Sequence, residues 1–427
     1  MYSNKRVETS FLTFITFILK NNILNNFMDI LLIHTPVPQI EVDNLDPPMG
    51  LLYLAASIEK YGYTVEILDL SSFSENECYD FLEKKCLNFK FAGFSTYTGN
   101  YNFTLKLLYF VKKCNATIIT IAGGPHATAL PNEVSEKFDY VICGEGDQSI
   151  LQVLNGKTQK GIIYSEPIKD LDELPLPAYH LVNISNYTRI VNSCRAISIL
   201  STRGCPYQCV FCNSIIFSKK HFRIRSPEHV AKEINYLIQK YGILNFKFDD
   251  DLFTIQPERI KKIFSLTPQI VYRCFARADT LTEEMCGVLK NTGCKHVSVG
   301  VESGSTIILK KMNKGETKEE IRKGLINAKN AGLLLRIYLI VGFPGETDDT
   351  INETIDFIQE IPFDEFVVYP LIPYPGTQLV TEMEKFGIIS INTNYDKYIQ
   401  VGKERFSGFL IRTKTFDEKK LNLGVNS

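Results

Sequence analysis

From Met28 onward the chain alternates short apolar runs with amphipathic stretches, the pattern of a parallel sheet covered by helices. Strands are predicted at 30–33, 64–70, 91–95, 118–122 and 140–143, with helices at 49–60, 76–86 and 102–113. Strands joined by such crossovers make a doubly wound α/β domain, whose ligand belongs beyond the strand carboxyl ends. The loops there collect His34-Thr35-Pro36, Ser95-Thr96-Tyr97-Thr98, Gly123-Gly124-Pro125-His126 and Gly144-Glu145-Gly146. Residues 151–195 lose this rhythm, and the acids and prolines of 170–176 read as an extended connector. A second series follows, with strands at 196–201, 244–249, 270–276, 295–300, 334–341 and 365–370, and helices near 227–241, 256–266, 281–292, 317–331 and 348–360. This series predicts a barrel, complete or partial, with its active face at the strand carboxyl ends.

Composition narrows the class of partner. At 44% hydrophobic and 22% charged over 427 residues, the chain is a folded protein of two or three domains and neither disordered nor fibrous. Lys+Arg 47 against Asp+Glu 48 leaves no global basic field for nucleic acid or an anionic membrane, so a small-molecule or peptide partner is expected. The longest apolar run near the N-terminus, 11–19, is shorter than the roughly 20 residues of a membrane span. Residues 1–27, rich in Asn and Lys, are expected to precede the native start at Met28 or to form a loosely attached extension. Eleven cysteines, an odd number, are too sparse for a disulfide scaffold and point to a reducing, cytoplasmic setting.

Three of those cysteines fall together, in Arg203-Gly204-Cys205-Pro206-Tyr207-Gln208-Cys209-Val210-Phe211-Cys212-Asn213, directly after the first strand of the second series. Closely spaced thiols in a reducing compartment argue for a soft metal centre before a disulfide. A structural zinc site needs four ligands, and no second Cys or His pair stands at a suitable spacing. Three thiolates on a four-iron cluster leave one iron open for substrate.

This C-x3-C-x2-C segment, with an aromatic before its last cysteine and at the top of a barrel's first strand, resembles the radical S-adenosylmethionine superfamily. The resemblance implies that Cys205, Cys209 and Cys212 hold a 4Fe-4S cluster whose free iron chelates S-adenosylmethionine. Reduction by an external donor such as flavodoxin or ferredoxin then gives a 5'-deoxyadenosyl radical, chemistry suited to an anaerobic site. It also implies that Phe211 packs near the adenine, and that Glu302 and Ser303, in Val299-Gly300-Val301-Glu302-Ser303-Gly304-Ser305, meet the cosubstrate. Arg277, Arg336 and Gly342, which opens Gly342-Phe343-Pro344-Gly345-Glu346-Thr347, are further expected contacts. Plainer readings stand beside these: a strand-end turn at Glu302, an Arg277–Asp279 salt bridge, a helix start at Glu346-Thr347, and a cap at Asp251 within Asp249-Asp250-Asp251.

The first domain narrows the subgroup. Pro47-Pro48-Met49-Gly50-Leu51, 93–100, 123–128 and 143–147 resemble the cobalamin-binding domain of cobalamin-dependent radical S-adenosylmethionine enzymes. Expected cofactor contacts are Ser95, Thr96, Thr98, Gly123, Gly124, His126, Gly144 and Glu145, since glycines let backbone approach a macrocycle and hydroxyls bond its amides. His126 reads equally as a turn histidine satisfied by backbone. No G-x-G-x-x-G follows the first strand and no D-x-H-x-x-G occurs, so cobalamin is expected without a histidine from that motif.

The resulting expectation is an α/β chain of five parts. These are the extension 1–27, a Rossmann-like cobalamin-binding domain at 28–150, a linker at 151–195, a partial (βα)6 TIM-type radical barrel at 196–385 and a short tail at 386–427. Methyl transfer to an unactivated centre is the expected activity, with a non-methylating oxidation, cyclisation or rearrangement of the magnesium-protoporphyrin ester cyclase type as alternative. A methylthiotransferase fits less well, because Cys78, Cys86, Cys114 and Cys143 lack a second cluster pattern and the tail is too little basic for RNA. A non-catalytic corrinoid sensor would have no use for an open iron.

Overall fold

The structure, a computed structural model, describes residues 28–40, 44–219, 221–399 and 410–413. The extension at 1–27 therefore lies outside the described residues, as does most of the tail beyond 399.

The first sheet contains β1 (Met28–His34), β2 (Val65–Asp69), β3 (Phe89–Ser95), β4 (Ile119–Gly123), β5 (Tyr140–Cys143) and β6 (Gly161–Tyr164). Its order is β2-β1-β3-β4-β5-β6, every pair parallel, with the direction of winding reversing at β1. Helices cover both faces, which is why Ile30, Leu31, Leu32 and Ile33 form one buried run with no polar alternation. Strand β6 was not predicted. Its four residues are half-buried or exposed and sit on the sheet edge, so they carry too short an apolar signal to read.

The second sheet is formed by β7 (Ile190–Val191), β8 (Cys194–Ile199), β11 (Asn245–Phe248), β12 (Val271–Ala276), β13 (Cys294–Glu302), β14 (Leu334–Val341) and β15 (Glu365–Pro370). Its order is β15-β14-β13-β12-β11-β8-β7; β8 through β15 run parallel and β7 pairs antiparallel with β8. The ends of this series do not pair, so the barrel is partial. Two short strands, β9 (Thr202–Arg203) and β10 (Arg223–Ile224), form an antiparallel ribbon that brackets the cysteine loop. In the tail, β16 (Ile388–Ile391) pairs with β17 (Ile411–Thr413).

Alternation along the second sheet separates two environments. Phe246, Phe248, Tyr272, Cys274, Val297, Val299, Leu335 and Ile337 are buried in the core beneath the helices. Lys247, Arg273, Ser298 and Arg336 occupy the intervening positions and face the barrel interior, where they meet one another's polar groups.

The segment between the two series is packed. Helix Gly146–Leu154 runs across residue 150, β6 joins the first sheet, and the turn Tyr179–Leu181 buries Tyr179 completely. The Tyr179 hydroxyl donates to Glu233 at 2.6 Å, and Arg225 donates to Glu233 at 2.5 Å and to the Tyr53 hydroxyl at 3.0 Å. One hydrophobic cluster runs from Ile30 and Leu52 through Tyr179 to Ile197 and Phe248, so the two sheets share a core.

Removing Glu233 strands the buried Arg225 guanidinium. Glu233→Ala is expected to lower the urea unfolding midpoint by the equivalent of about 3–5 kcal/mol; an unchanged midpoint would show that the carboxylate contributes nothing at this junction.

Candidate functional site

The carboxyl ends of both sheets open on one cavity of about 380 Å³. From the first domain it is lined by Gly93, Ser95, Gly123, Gly124, Gly144 and Glu145, and from the second by Leu200, Arg203, Gly204, Asn213, Phe217, Asp249 and Asp251. Gly124 takes φ +104, and a Cβ there would stand 2.8 Å from the Thr96 carbonyl, so this turn admits only glycine without a shift. The cavity walls are mainly apolar and glycine backbone is exposed along one side, a surface suited to the face of a large flat ligand.

Ion pairs hold the two walls. Arg203 pairs with Glu145 at 3.2 Å and Asp147 at 2.9 Å, and Arg223 pairs with Glu145 at 2.5 Å. Burial alone would raise the Glu145 pKa, yet the Arg223 hydrogen bond and the Arg203 charge bring it below the usual carboxylate range. Glu145 is thus committed to joining the domains. Nothing local in the sequence around Arg203 marks this role, because its partners lie in the first domain.

The cysteine loop leaves β9 at Gly204, whose φ is +84 and where a Cβ would stand 2.2 Å from the His221 carbonyl. The loop is fastened at both sides of Val210, whose N–H donates to Met312 O at 3.0 Å while its carbonyl accepts from Leu379 at 2.9 Å. Asn313 adds a bond to Gln208 O at 2.8 Å. All three thiols are half-buried, and burial raises each pKa, Cys212 to about 12. Backbone N–H groups of Tyr207 and Ser214 oppose that shift at Cys205 and Cys212, and the Lys314 and Arg277 charges oppose it at Cys209. Among the described residues no three Cys, His, Asp or Glu side chains converge as ligands of a single ion would. Thiolates on separate irons of a cluster stand farther apart, and sulfurs receiving N–H bonds beside fixed cations are the donor set such a cluster requires.

Around Cys209 lies a buried charge cluster. Glu302 pairs with Lys314 at 3.4 Å, Lys314 with Glu316 at 3.3 Å, and Arg277 with Glu316 at 3.4 Å and Asp279 at 2.9 Å. Arg277 also lies over the Tyr207 ring at 3.5 Å. Glu302 holds φ +66, a left-handed conformation costly for a side-chain-bearing residue and one that marks functional sites. Burial raises its pKa despite Lys314. Lys314 and Glu316 were missed in the sequence; their signal is the tight Asn313-Lys314-Gly315 turn, with φ +52 at Asn313 and +72 at Gly315. Phe211 packs edge-on against Phe343 at 6.5 Å, and the Gly342 N–H donates to Glu346 at 2.5 Å.

Several predicted contacts are turned elsewhere. Thr96 bonds Gly123 O and Ala127 N, and Thr98 bonds His126. His126 is fully buried against Tyr101 at 4.1 Å and Tyr395 at 4.9 Å, and burial lowers its pKa to about 4. It is not a backbone-satisfied turn histidine, since its Nε2 is buried without a partner among the described residues. Ser303 bonds Thr354 at 3.1 Å and the Ser305 N–H, under the helix Asp348–Glu360. Arg336 lies toward the amino end of β14, paired with Glu365, away from the cysteine loop. Of the plainer readings, the Arg277–Asp279 pair is present, Thr347 caps the helix Asp348–Glu360, and Asp251 accepts from Ser214 at 2.6 Å.

A cysteine loop over a partial parallel barrel, facing a doubly wound sheet across a shared cavity, defines an enzyme of the cobalamin-dependent radical class. Residues 199–358 match the radical SAM superfamily and residues 39–154 match the B12 binding domain, so the chain belongs to the radical S-adenosylmethionine enzymes that carry a cobalamin-binding domain. It is 29% identical over 387 residues to an uncharacterized methyltransferase of Pyrococcus horikoshii, covering 84% of this chain and 83% of that one. It is 25% identical over 373 residues to the anaerobic magnesium-protoporphyrin IX monomethyl ester cyclase of Rubrivivax gelatinosus, covering 79% and 66%. Among solved structures, the radical S-adenosylmethionine methyltransferase TsrM of Kitasatospora setae shares this fold with a TM-score of 0.65 at 17% identity, over 84% of this chain and 78% of that one.

Glu346, in the loop after β14, is almost wholly buried, and burial raises its pKa from 4.5 to about 7 against the N–H bonds of Gly342 and Phe343. A carboxyl whose folded pKa exceeds its unfolded value stabilises the fold fully below pH 4.5, and that contribution is lost as the pH rises through about 7. Wild-type melting temperature relative to Glu346→Gln is expected to fall across this window in a pH series; parallel curves would refute the assignment.

Proposed function

We propose that this enzyme is a cobalamin-dependent methyltransferase that methylates an unactivated centre of a small molecule or peptide. The observation that carries the reading is the shared cavity, lined by the glycine loops of the first sheet and by Gly204 and Asn213 at the two ends of the cysteine loop. Bound there, a 4Fe-4S cluster with S-adenosylmethionine supplies radical chemistry and cobalamin supplies methyl-carrying chemistry.

In this reading Cys205, Cys209 and Cys212 hold the cluster. Lys314 and Arg277 offset the thiolate charge at Cys209, and the Tyr207 and Ser214 N–H groups stabilise the other two sulfurs. Glu302, fixed by Lys314 and by its left-handed backbone, presents a carboxylate to the amino or hydroxyl groups of S-adenosylmethionine. Phe211 and Gly342 are assigned to the adenine of the cosubstrate, as the sequence motif implies. Gly93, Ser95, Gly123, Gly124 and Gly144 form the corrinoid face, and no histidine lines that cavity among the described residues. Free thiols throughout the described chain fit a cytoplasmic, oxygen-poor setting, with flavodoxin or ferredoxin as electron donor.

The cyclase-like alternative is favoured by the similarity to the Rubrivivax gelatinosus protein along most of this chain. The test uses anaerobically purified, cluster-reconstituted protein loaded with hydroxocobalamin, reduced in the presence of S-adenosylmethionine. Retained corrinoid absorbance together with S-adenosylhomocysteine and 5'-deoxyadenosine is expected for methyl transfer. 5'-Deoxyadenosine without S-adenosylhomocysteine would favour the oxidative or cyclising reading. Cys205→Ala is expected to lose the cluster absorbance and more than a hundredfold of both products; equal spectra and yields would sink the radical assignment.

A further inference from the structure

The barrel interior carries a second polar layer, below the cysteine loop and unused by the chemistry above. Register places Lys247 of β11 beside Arg273 of β12, Arg273 beside His296 of β13, Ser298 beside Arg336 of β14, and Arg336 beside Glu365 of β15. Asp46, on the loop after β1, enters this layer and accepts from Arg189, from Ser198 at 2.7 Å and from Lys247 at 3.3 Å. Lys247 is also paired with Asp249 at 2.9 Å, and Arg336 with Glu365.

Arg273 differs from these cations. It is 7% exposed, its Nη2 donates to the Ser298 hydroxyl at 2.7 Å, and it has no carboxylate within ion-pair distance among the described residues. Its Nε is buried with no hydrogen-bond partner. A buried, uncompensated guanidinium costs several kcal/mol, so a fold keeps one where a ligand completes it. The surroundings reinforce the deficit of negative charge. Burial lowers the Arg273 pKa, the Tyr338 hydroxyl partly opposes this, and the Arg336 and Arg189 charges lower it further, while burial and the Arg273 and Arg336 charges hold His296 neutral, down to about 4.

One level nearer the strand carboxyl ends, aromatic rings continue across the sheet. Phe275 and Tyr338 lie 6.4 Å apart at 30°, and Tyr338 and Tyr369 stack at 5.9 Å and 12°. All three rings are partly accessible.

We propose that the substrate is a ring-bearing molecule with an anionic group, a carboxylate or a phosphate, which docks on Arg273 while its ring lies along Phe275, Tyr338 and Tyr369. The guanidinium charge pairs with the anion, Ser298 and Tyr338 steady its edges, and Arg336 and Arg189 add attraction. The anion at the floor thus sets which atom of the substrate points up toward the cysteine loop. This subsite rests on the methyltransferase reading of the barrel, and binding is measured without turnover so that the two can fail separately.

The experiment titrates cofactor-loaded protein, in phosphate- and sulfate-free buffer, with phenylacetate, phenylphosphate and the neutral phenylacetamide, by calorimetry. Wild type is expected to bind at least one anion ten times more tightly than the amide, and the stronger of the two identifies carboxylate or phosphate. Arg273→Met is expected to lose that preference at least tenfold while its melting temperature rises, because an unpaired buried charge has been removed. Arg273→Gln, which keeps polar volume, is expected to lose the preference too. Equal binding of amide and anions by wild type, or an anion preference retained in both variants, would overturn the subsite.

Discussion

The site depends on the buried ion pairs that join Arg203 and Arg223 of the barrel to Glu145 and Asp147 of the first domain. Arg203 stands two residues before Cys205, so the same chain segment that anchors the barrel to the first sheet also launches the cysteine loop. Pairs this well enclosed contribute little net stability but lose several kcal/mol when one member is removed. Their value is geometric. They hold two sets of strand ends face to face, and the cavity between them is what remains when both walls are fixed.

Rigidity on each wall then has a local cause. On the first domain, the Gly124 turn brings backbone against Thr96 and leaves room for a flat ligand. On the barrel, Val210 is bonded on one side to Met312 and on the other to Leu379, so the three thiols are presented by a loop stitched to two distant segments. Preorganised sulfurs beside Lys314 and Arg277 reduce the reorganisation that binding a charged cluster would otherwise demand.

Much of this architecture was legible in the pattern of residues. The helix Pro227–Tyr241 was readable at both ends because Ser226 caps it, Pro227 occupies its first turn and Gly242 leaves it in a left-handed conformation. Strands β14 and β15 were readable because a half-buried face alternates with a buried one or with solvent along a long run. The cysteine loop was legible from spacing. Side-chain direction at strand ends was not: Glu145, Thr96, Ser303 and His126 lie in loops predicted to meet ligand, yet each is spent on an ion pair, a turn bond or the core. Such choices depend on neighbours far along the chain, as Arg223 lies from Glu145, and no local period records them. The buried pair Lys314 and Glu316 escaped for the same reason, since its partners Glu302 and Arg277 come from two other segments of the chain.

The barrel interior is divided by charge along its axis. Toward the strand carboxyl ends stand Asp251, Glu302 and Glu316, beside Lys314 and Arg277; lower down stand Arg189, Lys247, Arg273 and Arg336, paired with Asp46, Asp249 and Glu365 and left one carboxylate short at Arg273. In a low-dielectric interior such an imbalance is felt strongly at short range. A neutral or cationic molecule would leave Arg273 unsatisfied, whereas an anion entering the barrel completes the floor and is drawn down the field until its ring meets Tyr338 and Tyr369. The uncompensated charge therefore orients as well as attracts. Orientation matters here because radical chemistry supplied at the cysteine end would act on the atom held nearest, so that selectivity would come from the depth at which Arg273 anchors the far end of the substrate.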